Sequence, residues 1–532
     1  MSSTIVKIFF PLALFSSIFS ISSSSSSIDF WCNQTPYPEP CKYHMMSHSH
    51  HKFEPKHRSE FRKMLVQSAM EQAQVMREQA QNYGPNFVTT TQRFVFNDCL
   101  KLNDNTIFHL NQTLLALHTS NSCSSLLDAQ TWLSTALTNI ETCRSSTSQL
   151  RVREFTAQNN VSDNVRRMIS NVLAVNNGDI VMMKQQNNNT QKKTCGFPSW
   201  FSGRNRLLIS LKPSSLKANI VVAQDGTGHF KTVQAAIDEA SRRTVKTRFV
   251  IRVKRGTYEE NIEVDKDNEN LMIVGDGMNV TIITSNRSVK DGITPSMSAT
   301  AGIDGAHFVA QDITFRNTAG PEKGQAVALR SASDLSVFYR CSIEGYQDTL
   351  MAHAQRQFYR DCRIFGTVDF IRGNAAAVFQ NCIILVRRPL QGQANMITAQ
   401  GRGDPFQNTG ISIINSQIRA APDLRPVVDS YQTYLGRPWQ QYARVVVMKS
   451  YIEGLVNPLG WSPWGDSDFG QDTCYFGEYM NNGAGSSTQS RVQWPGFHVM
   501  TSQNETQQFT VAGLLAGSIW LPQAGVPFDI GI

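Results

Sequence analysis

A chain of 532 residues with 10 Cys, 34 Gly, 20 Pro and a formal charge of +8 is long enough for two or three domains at roughly 150 residues each. Ordinary Gly and Pro contents exclude a collagen and wholesale disorder, and a charged fraction of only 17%, with many Ser, Thr, Asn and Gln, points to an exported β-rich protein rather than a coiled coil. The modest positive surplus leaves nucleic acid, an anionic lipid face, an acidic polysaccharide or no polyanion at all as partners.

At the N-terminus Lys7 precedes an apolar run from Ile8 to Ile21 and then Ser22 to Ser27. This layout predicts a signal peptide over 1–27, with a retained anchor as the alternative, because the run is short and Ser-broken for a membrane span. No later segment approaches 18 consecutive apolar residues, so the exported chain is expected to leave the membrane. Export makes oxidised cysteines plausible. Cys32 and Cys41 lie nine apart across a Pro-rich turn, and Cys362 and Cys382 lie twenty apart in strand-like sequence; both pairs are candidate disulfides. Glycosylation triplets occur at Asn33, Asn111, Asn160, Asn188, Asn279, Asn286 and Asn504.

From about residue 54 to 178 the periodicity is helical, within a domain expected over 28–180. Phe61, Leu65, Ala69, Ala73, Met76 and Ala80 recur at three- and four-residue steps, as do Val165, Met168, Ile169, Val172 and Leu173, with Ser162 placed as an N-cap and Gly178 as a terminator. Trp132, Ala136, Ile140 and Cys143 add a further stripe. Such helices bury their stripes against one another as an all-α bundle. Residues 181–217 lose the periodicity and are expected to be a linker. Within it Arg204 to Leu208 is a short basic patch that a processing protease would accept, or simply a solvated turn.

From residue 218 to 532 short β-rich runs are punctuated by Gly, Asn and Asp, with one helical stretch at Val233 to Ala240. Segments ending at Ile343, Ile364 and Ile384 repeat a theme at 21 and 20 residues. That period suits an all-β solenoid of the parallel β-helix type, since the Leu lattice of leucine-rich repeats is missing. In such a solenoid, residues one coil apart lie about 4.8 Å apart on neighbouring strands. Asp348 and Asp369, 21 apart, then become neighbouring carboxylates, and Gln325 and Gln347, 22 apart, bring amide donors to them.

Two close carboxylates resist ionising together, so one keeps its proton while the other is charged. The charged one can attack an acyl carbon and the protonated one can release the leaving alkoxide, with amides stabilising the oxyanion. The set suits ester hydrolysis through a covalent acyl-enzyme. Arg437, in what the Gly-Arg-Pro-Trp run suggests is a constrained turn, would hold the nucleophile, and Trp439 would give a flat surface for a sugar ring. Stacked polar ladders without catalysis are the structural alternative.

The second half closely resembles plant pectin methylesterases, right-handed parallel β-helix enzymes, in Gly256 to Glu260, Gln325 to Leu329, Gln347 to Leu350, Val368 to Ile371 with Gly373-Asn374, and Leu435 to Trp439. The resemblance implies Asp369 as nucleophile, Asp348 as proton donor, Gln325 and Gln347 at the oxyanion, substrate binding by Gln325, Arg437 and Trp439, and a disulfide between Cys362 and Cys382. It implies no metal or other cofactor. The substrate would be methylesterified homogalacturonan in the cell wall, with proteinaceous pectinesterase inhibitors as further partners, no nucleic acid, and a monomeric enzyme.

The first half is similar to the pectinesterase-inhibitor-like four-helix bundle that precedes many such enzymes, in its Cys32/Cys41 pair, Asp98-Cys99-Leu100 and the run from Trp132 to Thr138 leading to Cys143. That likeness implies a Cys99–Cys143 disulfide and a pro-segment cut at Arg204 to Leu208. Two positions depart from the pattern. Arg372 stands where an aromatic ring usually lines the cleft, and Pro295 where a substrate-contacting Thr is expected, with Thr294 or Ser296 as substitutes. Arg372 is expected either to favour a de-esterified carboxylate in a neighbouring subsite or to point to solvent. A glycosidase is disfavoured because neither an adjacent Asp-Asp pair nor a Gly-His-Gly run occurs, and no carboxylate cluster for a calcium-dependent lyase is found. The competing reading from another class is a catalytically weakened or inactive wall-binding or inhibitor protein.

Overall fold

A computed structural model describes residues 27–47, 54–83, 88–119, 122–152, 159–190 and 217–532. The hydrophobic leader, the basic patch Arg204 to Leu208 and most of the linker lie outside the described residues.

The helical periodicity folds as α1 (Ser27–Cys32), α2 (Pro38–Ser47), α3 (Arg58–Tyr83), α4 (Thr90–Thr119), α5 (Cys123–Gln149) and α6 (Asn159–Thr190). The last four are long and pack on one another as the bundle expected from the stripes, and their stripe residues Leu65, Ala69, Leu133, Ala136, Met168 and Val172 share one buried cluster. Cys32–Cys41 and Cys99–Cys143 are disulfides. Ser162 and Gly178 do not bound α6, which begins at Asn159 and runs on to Thr190, past the expected start of the linker. Gly178 sits inside that helix for a packing reason: a Cβ there would meet Arg58 Nη2 at 2.1 Å. The space lets the Arg58 guanidinium reach the Val175 carbonyl at 3.1 Å.

Residues 220–499 wind into a parallel β-helix of three sheets, with eleven, eight and seven strands, all pairs parallel. The short helix α7 (Val233–Ser241) covers its first coil with Val233, Ala236, Ile237 and Ala240. The seven-stranded sheet comprises β1 (Ile262–Val264), β2 (Ala301–Ile303), β3 (Leu329–Ser331), β4 (Leu350–Ala352), β5 (Ile371–Gly373), β6 (Asn395–Gln400) and β7 (Thr433–Pro438). The predicted repeat is the coil itself, since Ile343 pairs with Ile364 and Ile364 with Ile384 on adjacent strands of the eight-stranded sheet. Inside, Phe338, Tyr359 and Phe379 stack at centroid distances of 4.9 and 4.5 Å. At one corner each coil turns through a left-handed residue, Arg340, Asp361 and Asn381 in succession, with φ of 50°, 54° and 58°.

The ladder following that corner corrects one expectation. Cys341, Cys362 and Cys382 are buried free thiols, so Cys362 and Cys382 form no disulfide here. The sulfurs of the latter two turn inward to a carbonyl of the preceding coil, with Cys362 Sγ donating to Phe338 O at 3.2 Å and Cys382 Sγ to Tyr359 O at 3.6 Å. Burial pushes both thiols well above their ordinary pKa, so they stay protonated.

Candidate active site and the helix that covers it

Strand register assembles the site. Leu350 pairs with Ile371 and Ile371 with Thr398, while Ala399 pairs with Arg437. Two residues before the paired Leu350 and Ile371, therefore, Asp348 and Asp369 stand one coil apart on the same edge of the sheet. Both hold left-handed backbone, φ 60° and 50°, a conformation that Asp tolerates better than most residues but that still costs about 1 kcal/mol or more. Gln325 and Gln347 are joined one coil apart by a parallel bridge.

Arg437 grips Asp369 through two parallel hydrogen bonds, Nε to Oδ1 at 2.8 Å and Nη2 to Oδ2 at 2.7 Å. Its guanidinium lies 4.4 Å from the Trp464 ring centre. The Gly-Arg-Pro-Trp run is not a free turn as expected from its composition; Leu435 to Pro438 belong to β7, held in register by β6. Asp348 is buried, and burial pushes its carboxyl up to about 6 against the pull of Arg372, with Asp369 adding to the rise.

Arg372 departs from both expectations. It neither points to solvent nor waits for a substrate carboxylate: the side chain is buried, Nη1 is paired with Asp348 Oδ2, and the guanidinium stacks 4.3 Å from the Trp439 ring. Trp439 is seated over Gly401, where a Cβ would come within 2.5 Å of Cε3. One indole face is thus already occupied by Arg372.

Gln325, Asp348, Asp369, Arg372 and Trp439 line one cleft of about 410 Å³, together with Trp464 and, from the bundle, Glu141, Arg144 and Ser148 of α5. Gln347 is not among the lining residues, although its backbone holds Gln325 in place. The bundle residues over the cleft were not anticipated. Their sequence signal is a polar stripe on α5, Thr131, Ser134, Thr138 and Thr142, opposite the apolar one.

That stripe is the docking face. Asn374 Nδ2 donates to Thr138 Oγ1 at 2.8 Å, Asn408 Nδ2 to Thr131 Oγ1 at 3.0 Å, and Gln407 Nε2 to the Ser134 carbonyl at 3.0 Å. Thr142 Oγ1 and His353 Nε2 are 2.8 Å apart. Arg356 bridges the domains, bonding Asp334 in the β-helix at 2.6 and 2.9 Å and Asp128 in α5 at 2.7 Å. Thr294, one of the two substitutes expected beside Pro295, is also engaged: its hydroxyl donates to Asp98 Oδ2 of α4 at 2.6 Å, and Ser296 is buried.

One carboxyl gripped by a guanidinium, beside another that keeps its proton up to mildly acidic pH, equips the cleft for acyl transfer to water. The class is a carboxylic ester hydrolase built on a parallel β-helix. Known proteins give the particular family. Residues 219–518 match the family described as Pectinesterase and residues 26–175 the family described as Plant invertase/pectin methylesterase inhibitor. The chain is 54% identical over 508 residues to "Probable pectinesterase/pectinesterase inhibitor 59" of Arabidopsis thaliana, covering 94% of this chain and 93% of that one. It is 48% identical to "Pectinesterase 2" of Citrus sinensis, covering 98% of each. Among solved structures, "Pectin methylesterase from Carrot" aligns with 54% identity and a TM-score of 0.59, covering 60% of this chain and 99% of that chain. The chain belongs to the pectinesterase family, with an inhibitor-type helical domain ahead of its catalytic β-helix.

Proposed function

We propose that this pectinesterase demethylates homogalacturonan through an acyl-enzyme on Asp369. The pairing of Asp369 with Arg437, one coil from a buried Asp348 whose carboxyl is pushed up to about 6, carries the reading. Asp369 Oδ attacks the ester carbonyl carbon, and the Gln325 amide, which lines the cleft, donates to the developing oxyanion, with Gln347 expected as a second donor only once its side chain turns into the cleft that it does not line here. As the C–O bond to methoxide breaks, Asp348 gives its proton to that oxygen and methanol leaves. Asp348, now a carboxylate, takes a proton from water as it attacks the acyl carbon. The acyl bond to Asp369 then breaks, releasing the galacturonate carboxyl and restoring both groups. Arg437 orients the nucleophile throughout, and Trp439 meets the sugar.

The same reading makes the chain an exported cell-wall enzyme. Residues 1–27 serve as its signal peptide, Arg204 to Leu208 as a protease site, and the linker joins a bundle over 28–180 to a catalytic domain over 218–532. Asn33, Asn111, Asn279, Asn286 and Asn504 are exposed, as glycan acceptors must be; Asn160 and Asn188 complete the candidate set. Among the described residues no helix is long and apolar enough to cross a membrane. Because α5 residues line the cleft, the docked bundle acts as an autoinhibitory pro-segment, and the enzyme works as a monomer on methylesterified pectin, itself subject to proteinaceous inhibitors.

The deciding experiment measures methanol release from methylated pectin by the chain before and after cleavage between the domains, for the parent and for Asp369→Asn. Release that rises on cleavage and vanishes in Asp369→Asn is expected. Equal release by Asp369→Asn and the parent would sink the mechanism, and no rise on cleavage would sink the autoinhibition.

A further inference from the structure

Arg372 is the second residue of β5 and pairs in register with Met351 of β4. Ile371 beside it belongs to the interior cluster of the β-helix, so strand alternation sends Arg372 the other way, onto the cleft face. There the side chain is only 11% exposed. It is fixed by two separate partners, the Asp348 carboxylate at its edge and the Trp439 ring on its flat face, 4.3 Å away.

The other charged groups that meet Asp348 are Asp369 and Arg437 from the succeeding coils, with Glu141 and Arg144 of α5 lining the same cleft from above. Arg437 is engaged by Asp369 through both its bonds. Arg372 is therefore the cation bonded to Asp348. A proton donor must carry a proton when methoxide departs, yet a guanidinium stabilises the carboxylate and not the acid.

Resting on the assignment of Asp348 as proton donor, we propose that Arg372 is a positioning residue that sets the upper pH limit of demethylation. Its bond holds the donor beside Trp439 and opposes the protonated form, so that acid catalysis fails at a lower pH than it would with a neutral side chain at this place. The local balance has the same sign. Burial dominates at Asp348 and raises its carboxyl to about 6, and Arg372 is the largest influence acting downward. Without that cation the carboxyl would rise further.

Arg372→Met keeps the stem and removes the charge, and Arg372→Lys restores a cation without the planar stack. In the full chain labelled at the Asp carboxyl carbon, the Asp348 resonance, identified by its loss in Asp348→Asn, is titrated by NMR. The midpoint should rise by about one pH unit or more in Arg372→Met and return toward the parent in Arg372→Lys. The alkaline limb of methanol release should move with it, through kcat rather than KM. Equal midpoints in the parent and Arg372→Met overturn the proposal. Arg372→Gln carries the same comparison should the Met variant fail to fold. If Asp369→Asn released methanol at the parent rate, the site assignment would fall, while the titration would still decide whether Arg372 governs Asp348.

Discussion

Removing the bundle's share of the Arg356 bridge should loosen the two domains by an amount the structure allows us to work out. In Asp128→Ala the guanidinium loses the bond from Nη1 to Asp128 at 2.7 Å but keeps Asp334 through Nε and Nη2 at 2.9 and 2.6 Å. Both partners of the lost pair are largely buried, with side-chain exposures of 9% and 14%. A charge-assisted hydrogen bond contributes about 1.5–3 kcal/mol. The 3–5 kcal/mol or so for stranding a buried charge is only a ceiling, since Asp334 still compensates Arg356. Burial holds the Asp128 carboxyl above the ordinary carboxylate range despite Arg356, so desolvation offsets part of the attraction. The net expectation is about 2 kcal/mol, or roughly 30-fold more of the undocked form. Hydrogen exchange over residues 403–409 reads this directly, because the Asn408 amide donates across the interface to Ser134 Oγ at 3.3 Å and Gln407 is buried beneath α5. Exchange in that segment within twofold of the parent would refute the reasoning. Asp334→Ala, by contrast, should slacken the β-helix itself.

Three further outcomes follow from the same contacts. Arg437→Lys gives up one of the two parallel bonds to Asp369 and should lower kcat/KM for methanol release by about 10- to 100-fold, on 1.5–3 kcal/mol per charge-assisted bond; a loss under threefold would contradict the assigned role. Reductant should destabilise the bundle and spare the β-helix. Opening Cys99–Cys143, with its separation of 44 residues, costs the bundle about 4 kcal/mol on the loop-entropy estimate, whereas the β-helix cysteines are already thiols, so calorimetry with dithiothreitol should shift a single transition. Finally, burial depresses His353 to about 3 and His109 to about 4. Groups lowered in this way are neutral when docked, so their contribution is complete above the unfolded value near 6.5 and declines as pH falls toward the folded values. At pH 5 His353 alone should cost about 2 kcal/mol, and the fall in melting temperature between pH 7 and 5 should be smaller in His353→Gln than in the parent.

What sequence spacing could convey, and what it could not, divides along the geometry of a solenoid. Asp348 and Asp369 were legible because a parallel coil turns a 21-residue interval into adjacency. The paired Gln325 and Gln347 follow from the same rule. The stripes at Leu65, Leu133 and Met168 gave the bundle, since an amphipathic helix has one way to bury its apolar face. Arg372 was not legible, because its partner depends on a rotamer and on where Trp439 comes to rest. The docking face of α5 was hidden for another reason: a Ser/Thr stripe has the composition of a solvated surface, and only the opposing Asn374, Gln407 and Asn408 reveal its partner. Cys362 and Cys382 can be read from sequence as a bond or as a pair of thiols, and the structure has them as buried thiols directed to the Phe338 and Tyr359 carbonyls. Gly178, punctuation in sequence, turned out to be room for Arg58.

The stacking register also separates chemistry from selectivity. Successive partners Leu329, Leu350, Ile371, Thr398 and Gly436 are 21, 21, 27 and 38 residues apart, yet each advances the same single step along the axis. The surplus residues leave as loops, near 388–393, 401–409 and 421–431, instead of displacing the strands. Height along the axis is counted in coils, not in residues. Those loops can therefore grow or shrink, reshaping the rim that a long polymer meets, while Asp369 keeps its distance from Arg437. A single residue gained inside β5 or β6 would do the reverse, turning cleft-facing side chains into the core.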